Sequence, residues 1–397
     1  MVYVAIKDLG EVVTGKTPPT ENQSFFDGEI PFITPSDIDT FDKKYLFSTE
    51  RTLSPLGAKK IKNCKIPPKS ICFVCIGSTI GKMCMTNCES YTNQQINSVI
   101  PNEKWDNDYL FYLLRYIKVH FQSIGAGTGS GKGIVNKTIF SKAKVQVIET
   151  KDIQRRIGAI LSTYDTLIEN NNKRIKLLEQ MAESLYKEWF VRRKGCGWNL
   201  VKMNDFGYSL ESGSRPKGGI DASLIDGIPS LGAEAIGKLG EFDYSSIKYV
   251  PAEFYKKMKR GHVCDNDILL YKDGAYIGKV TLFMDEFPFK EYSINEHVFI
   301  VRSNNPIYQY YLYFTLKLPQ YFTQMQNLNR NAAQPGLTGK DIDLLKLYLP
   351  DEVTIAKFNA AVEPMLHRIF ILAKSNQNFT KQRDMLLPRL MSGKLEV

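Results

Sequence analysis

The sequence predicts an α+β chain. Two similar mixed α/β domains in tandem are separated by two long α-helices paired as an antiparallel coiled coil. Three observations lead there. The chain has 397 residues, enough for two or three domains at ~150 residues each. It repeats itself once, at an offset of about 200 residues. Each copy ends in a long run whose apolar positions step by three and four, the spacing of one helix face.

Composition supports folded domains. Hydrophobic residues make up 43% and charged residues 24%, globular values that exclude wholesale disorder. Lys and Arg number 52 against 42 Asp and Glu, a net charge of +10. That excess suits a polyanionic partner, and equally a basic protein kept soluble by its charge. No run reaches the ~18 uninterrupted apolar residues of a membrane span. Residues 308–318 come nearest and carry Gln309 and Lys317. Residues 1–10 have neither a basic nor an apolar leader region, so no secretory signal is expected. Seven Cys, an odd number, suit a reducing cytoplasm better than a disulfide scaffold.

The repeat is read from strings in the same order. Leu9-Gly10-Glu11 and Gly15-Lys16-Thr17-Pro18 answer to Phe206-Gly207-Tyr208 and Gly213-Ser214-Arg215-Pro216. Asp27-Gly28-Glu29-Ile30-Pro31 answers to Asp226-Gly227-Ile228-Pro229, and Ile80-Gly81-Lys82 to Ile277-Gly278-Lys279. Asn93-Gln94-Gln95 faces Asn295-Glu296-His297, and the aromatic stretch 109–118 faces 308–317. Offsets that stay between 197 and 202 argue for duplication of one unit.

Within each unit, the first ~150 residues mix strand-like runs with turn signals. Residues 71–76 and 267–271 read as strands, each followed by a Gly-containing turn. Residues 109–121 and 307–325 are apolar and aromatic at helical spacing, which predicts helix. From Ile153, the positions Ile157, Ile160, Tyr164, Leu167, Ile168, Ile175, Leu178, Met181, Leu185 and Trp189 describe one amphipathic helix. About forty helical residues would span about 60 Å, and Gly195 and Gly197 can end the run. The second copy passes through Ile355, Phe358, Val362, Leu366, Ile369, Phe370, Ala373, Phe379, Leu386 and Leu390. Pro364 should kink or restart it, and Pro388 lies near its end. Pairing the two helices would bury both stripes. The alternative is that each packs on its own globular block.

Catalytic signatures are missing. Residues 125–133 read G-A-G-T-G-S-G-K-G, like a phosphate loop, but Gly133 follows Lys132 where Mg²⁺ coordination needs Ser or Thr. Two readings remain: a flexible loop whose amides and Lys132 approach a nucleic-acid phosphate, or a structural linker. Cys72, Cys75, Cys84 and Cys88 have spacings reminiscent of zinc. In a strand, however, Cys72 and Cys75 point to opposite faces, so buried free thiols are expected. His120, His262, His297 and His367 show no ligand spacing. H-E-x-x-H, G-x-S-x-G and Asn/Asp-Pro-Pro-Tyr/Phe do not occur; the last would hold a flipped base in an amino-methyltransferase. No catalytic residue, metal or cofactor is assigned to this chain.

Several strings carry a resemblance. Gly15-Lys16-Thr17-Pro18 with Ile30-Pro31-Phe32-Ile33, and Gly213-Ser214-Arg215-Pro216 with Gly227-Ile228-Pro229, resemble the openings of two target-recognition domains. The family is that of the specificity subunits of type I restriction-modification systems. Residues 153–190, including Leu185-Tyr186-Lys187-Glu188-Trp189-Phe190, resemble its central conserved helical region. Leu386-Leu387-Pro388-Arg389-Leu390-Met391-Ser392-Gly393-Lys394-Leu395 resembles its C-terminal ending. The resemblance covers the whole chain and divides it into recognition domains 1–150 and 196–350 and helical regions 151–195 and 351–397. It implies that each domain reads half of a bipartite double-stranded DNA target with an unread spacer. It further implies that the helical regions hold the domains apart and bind two modification (methyltransferase) subunits. Those subunits carry S-adenosylmethionine and methylate adenine N6. Restriction subunits complete an ATP-dependent nuclease, and this chain is a non-catalytic, cytoplasmic member. One alternative is the recognition subunit of a related system that cleaves on both sides of a bipartite site. Others are a basic DNA-binding enzyme with its own cofactor and a structural protein whose charge is incidental.

Base reading needs donors and acceptors on a surface that also holds phosphates. In the first block the candidates are Lys16, Thr17, Thr20, Ser78, Thr79, Lys82, Asn93, Gln94, Gln95 and Lys132. In the second they are Ser214, Arg215, Lys217, Lys272, Tyr276, Lys279, Asn295, Glu296, His297 and Arg330. Asn or Gln can read adenine bidentately, and Arg or Lys can read guanine. Any one of them can equally be an ordinary turn-capping or solvated residue. Gln94 and Gln95 face Glu296 and His297, so the two blocks offer different hydrogen-bond patterns.

Overall fold

The computed structural model describes residues 1–38, 44–126, 133–192, 197–221, 223–274, 276–330 and 336–397. They form two units, Met1–Glu169 with Asn378–Val397, and Asn170–Gln377.

In the first unit, continuous buried runs such as Ile71–Val74 build a sheet whose central strands are covered on both faces. Its strand order is Gly10–Thr14, Ile96–Pro101, Ile71–Val74, Met83–Thr86, Tyr45–Leu46. The period of two sends Ile71, Phe73, Met83 and Met85 into one core and Cys72, Val74 and Cys84 into another. The helix Asn107–Ala126 covers the first of these cores with Tyr109, Phe111, Leu113 and Phe121. A second sheet runs Arg51–Leu53, Phe26–Ile33, Ser90–Thr92, Lys65–Ile66. The strand Val2–Ala5 pairs with Lys144–Val147 and so ties the start of the block to its end.

The second unit repeats this plan. Its sheets run Tyr208–Ser212, Val298–Ser303, Ile268–Tyr271, Val280–Leu282, and Lys248–Val250, Ile228–Leu231, Ser293–Ile294. Asn199–Lys202 pairs with Lys346–Leu349. Each unit contains a short parallel pairing at the matching place, Phe32 with Tyr91 and Ser230 with Ser293, and the first unit has a further one, Tyr45 with Met85. The duplication read in the sequence is thus a duplication of topology. One expected helix differs. Over 307–325 the chain forms Gln309–Lys317 and then Pro319–Arg330. Leu318 is extended at ψ 140°, because Pro319 bars the residue before it from the helical region.

The first long helix is Lys151–Tyr186, continued by a π-type turn Lys187–Arg192. The second is Glu352–Met391. Of the kink or restart expected at Pro364, the restart does not occur. Val362 and Leu366, on either side, are fully buried, and that packing outweighs the lost backbone bond. In the second unit Asn171 donates to Asn376 at 2.9 Å, and Tyr186 lies against Phe358. In the first, Tyr164 meets Phe379, and Ile157 and Leu161 share a core with Leu387 and Leu390. Low-numbered positions of one helix face high-numbered positions of the other, so the pairing is antiparallel. The two packing modes coexist: Ile157 and Leu161 also join the core of the first globular block, and Tyr186 stacks on Phe314 of the second at 5.7 Å. No helix among the described residues is long and apolar enough to cross a membrane.

Candidate nucleic-acid interface

In the first unit the chain leaves the strand Gly10–Thr14 into the opening string. Gly15 passes so close to the 92–93 turn that a Cβ there would lie 2.2 Å from the carbonyl oxygens of Thr92 and Asn93. Only glycine permits this approach. The Lys16 amide then donates to the Thr92 carbonyl at 3.0 Å. The Thr17 hydroxyl donates to Gln94 Oε1 at 2.7 Å. Asn93 shapes the turn: its Oδ1 accepts from the Gln95 amide at 3.1 Å, and its Nδ2 donates to Gln95 Oε1 at 3.2 Å.

The second unit builds the same corner with charge. A Cβ on Gly213 would lie 1.9 Å from the Ile294 carbonyl oxygen. Asn295, buried, accepts from the His297 amide at 2.9 Å. Arg215 Nε lies 2.6 Å from Glu296 Oε1, a close ion pair without the alignment of a hydrogen bond. His297 reaches Asp273 through Nδ1 at 2.6 Å and Glu296 through Nε2 at 3.4 Å. Lys272 Nζ donates to the Glu296 carbonyl at 3.0 Å and sits over the Phe299 ring. Two strings that are about eighty residues apart in each copy are therefore brought into contact, Thr17 with Gln94 and Arg215 with Glu296.

A hairpin turn adjoins each corner. The Cys75 amide donates to the Gln95 carbonyl and the Lys272 amide to the His297 carbonyl. In the turns themselves Lys82 donates to Thr79 and Lys279 to Tyr276, backbone to backbone. Gly81 and Gly278 both adopt φ +90°. The Thr79 hydroxyl donates to the Ile76 carbonyl, a local cap. Ser78 is exposed. Lys279 Nζ stands 3.9 Å from the centroid of the exposed Tyr276 ring, a cation–π pair on the surface.

The remaining candidates are less tied to the corners. Thr20 and Lys217 are exposed and Ser214 is half-buried. Lys132 lies outside the described residues; the next residue, Gly133, accepts from the Gly77 amide at 2.8 Å. Arg330 ends the helix Pro319–Arg330.

Sequence reasoning missed Asp273, which holds His297. It also missed Gln122 and Gln326, whose side-chain amides donate to the Ile80 and Ile277 carbonyls at 3.0 and 2.6 Å and anchor the hairpins. The repeat itself was the signal that could have found that pair.

The cysteines divide by sheet face. Cys72 stands opposite Cys84 in the strand register, and Cys75 enters the other core. Burial pushes the Cys75 thiol up to about 12, which makes it an inert thiol. Cys88, expected to be buried, is exposed because it follows the end of its strand.

Residues 1–180 match the type I restriction modification DNA specificity domain. Along 99% of its length the chain is 25% identical to the type I restriction enzyme MjaIX specificity subunit of Methanocaldococcus jannaschii, covering 93% of that protein. Over 173 residues it is 33% identical to the HindI specificity subunit of Haemophilus influenzae, which is 42% of this chain and 37% of that one. Among solved structures it resembles the S subunit of a type I restriction-modification system from M. genitalium. The TM-score is 0.62 at 13% identity, with 98% of this chain and 96% of the other covered. That likeness concerns the fold.

Proposed function

Because the chain belongs to the family of type I restriction-modification specificity subunits, we propose that each of its units reads one half of a bipartite double-stranded DNA sequence. The chain is the recognising, non-catalytic member of its assembly. In this reading residues 1–150 and 196–350 are the recognition domains, and 151–195 and 351–397 are the helical regions that receive two modification subunits. Those partners bring S-adenosylmethionine and methylate adenine N6; restriction subunits add cleavage. The work is done on the genome, in the cytoplasm.

One observation carries the reading. The same backbone corner occurs twice and carries different side chains each time, Thr17–Gln94 in one unit and Arg215–Glu296 in the other. Two readers built on one scaffold with different edges suit two unlike half-sites. The neighbouring cations, Lys16, Lys82, Lys272 and Lys279, suit phosphates.

The test is a genome-wide map of N6-methyladenine in cells with and without this chain, the modification subunits being present in both. The expected result is that one two-part sequence, with an unread gap, is methylated only when the chain is present. An identical methylation pattern in both cells would overturn the reading.

A further inference from the structure

The corner that both units share allows residues to be equated by geometry. Gly15 and Gly213 make the same forbidden-Cβ approach to the following turn. Asn93 and Asn295 cap that turn through the same Oδ1-to-amide bond. Thr17 therefore corresponds to Arg215, and Gln94 to Glu296.

The two pairs leave different atoms for DNA. In the first unit Gln94 is exposed, and its Oε1 already accepts from Thr17. That bond fixes which way the amide lies. Both Nε2 hydrogens and the second lone pair of Oε1 stay available, the donor–acceptor edge that takes adenine N7 and N6 together. In the second unit Arg215 meets Glu296 through Nε. The two Nη groups keep their parallel hydrogens, which match guanine O6 and N7.

The surroundings favour bases over phosphates for this arginine. Its charge is balanced by Glu296, so a phosphate gains little from it, whereas a neutral base edge is unaffected. Glu296 is itself held: Lys272 takes its carbonyl, and His297, pinned by Asp273, approaches its carboxylate. The arginine is thus aimed before DNA arrives, which lowers the ordering cost of binding.

We propose that Gln94, set by Thr17, reads an adenine in one half-site, and that Arg215, steered by Glu296, reads a guanine in the other. This rests on the reading of both units as DNA readers. The experiment uses the chain assembled with its modification subunits and scores methylated sequences genome-wide for the wild type, Q94A, R215A and R215K. For R215A one G·C pair, in one half only, should lose about ten- to a hundredfold of its preference. For Q94A one A·T pair in the other half should relax. R215K keeps the charge but not the fork, so it should relax the same G·C pair even if R215A fails to assemble.

An unrelaxed sequence in Q94A and R215K would overturn the assignment. So would a uniform loss over all sites, the mark of a phosphate contact. If the wild type itself methylates no two-part sequence, the failure lies with the two-reader premise. If it does and the variants keep it, only the residue assignment falls.

Discussion

At the scale of single residues, Arg383 shows what a buried charge demands. Its guanidinium is fully buried in the first unit, donates to Asp165, and reaches Asp384 at 3.0 Å. Asp165 also accepts from the Tyr112 hydroxyl. Burial opposes the Arg383 charge, but the two carboxylates outweigh it and raise its pKa. Burial and the Asp165 charge beside it likewise raise the Tyr112 hydroxyl, so it stays a donor. Removing the cation strands Asp165 where water cannot reach it. Arg383→Ala should cost about 3–5 kcal/mol, the range for breaking a buried pair from one side. Replacing both members, Arg383→Met with Asp165→Leu, should cost less than the single change. Native-state hydrogen exchange in the helix Asn107–Ala126 would measure both, and equal losses would refute the account. None of this was legible in the sequence. The two partners are 218 positions apart, and each looks like an ordinary charge on a helix surface until the helices pair.

At the scale of elements, legibility followed local rules. The Ile-Gly-Lys strings marked the hairpins in both copies because a turn with φ +90° needs glycine at that place. The anchoring glutamines escaped notice because spacing drifts between copies. Gln122 is 42 positions from Ile80, whereas Gln326 is 49 from Ile277. A fixed offset does not align them; the shared hydrogen bond does. The helix break at Leu318 was written in Pro319, yet the apolar spacing across it looked continuous. Conversely, Pro364 read as a kink or a restart, and the helix runs through it without restarting, since long-range packing decides there. The hairpin makes its own prediction. A Cβ at 278 would meet Met325 Cβ at 3.1 Å, in a backbone conformation that side chains avoid. Gly278→Val should cost about 1–3 kcal/mol and displace Lys279 and Tyr276 with the turn. Ser78→Ala, an exposed change in the equivalent turn, should stay within about 0.5 kcal/mol. Thermal unfolding of the two variants separates them; similar melting points would mean that the turn is not constrained as described.

At the scale of the whole molecule, the long helices are the parts whose length sequence can alter without touching a reader. Each helix belongs to both units, with the division at Glu169 and Asn170 in the first and at Gln377 and Asn378 in the second. Near these points the pairing is polar: Asn171 and Asn172 both bond Asn376. Such groups fix register at a cost in stability, and a matched insertion beside them leaves the apolar contacts intact. Four residues add about 6 Å of helix and turn it only ~40° beyond one full turn. Because the partners run antiparallel, both helices need the insertion, after Glu169 and after Gln377. At ~3.4 Å per base pair, the unread gap in the methylated sequence should grow by one or two pairs. The bases of the two half-sites should stay the same, since every side chain of the two corners lies outside the inserted segments. Sequencing methylated sites for the double insertion reads both quantities at once. An unchanged gap would show that something other than helix length sets the spacing, and altered half-site bases would show that helices and readers are not independent parts.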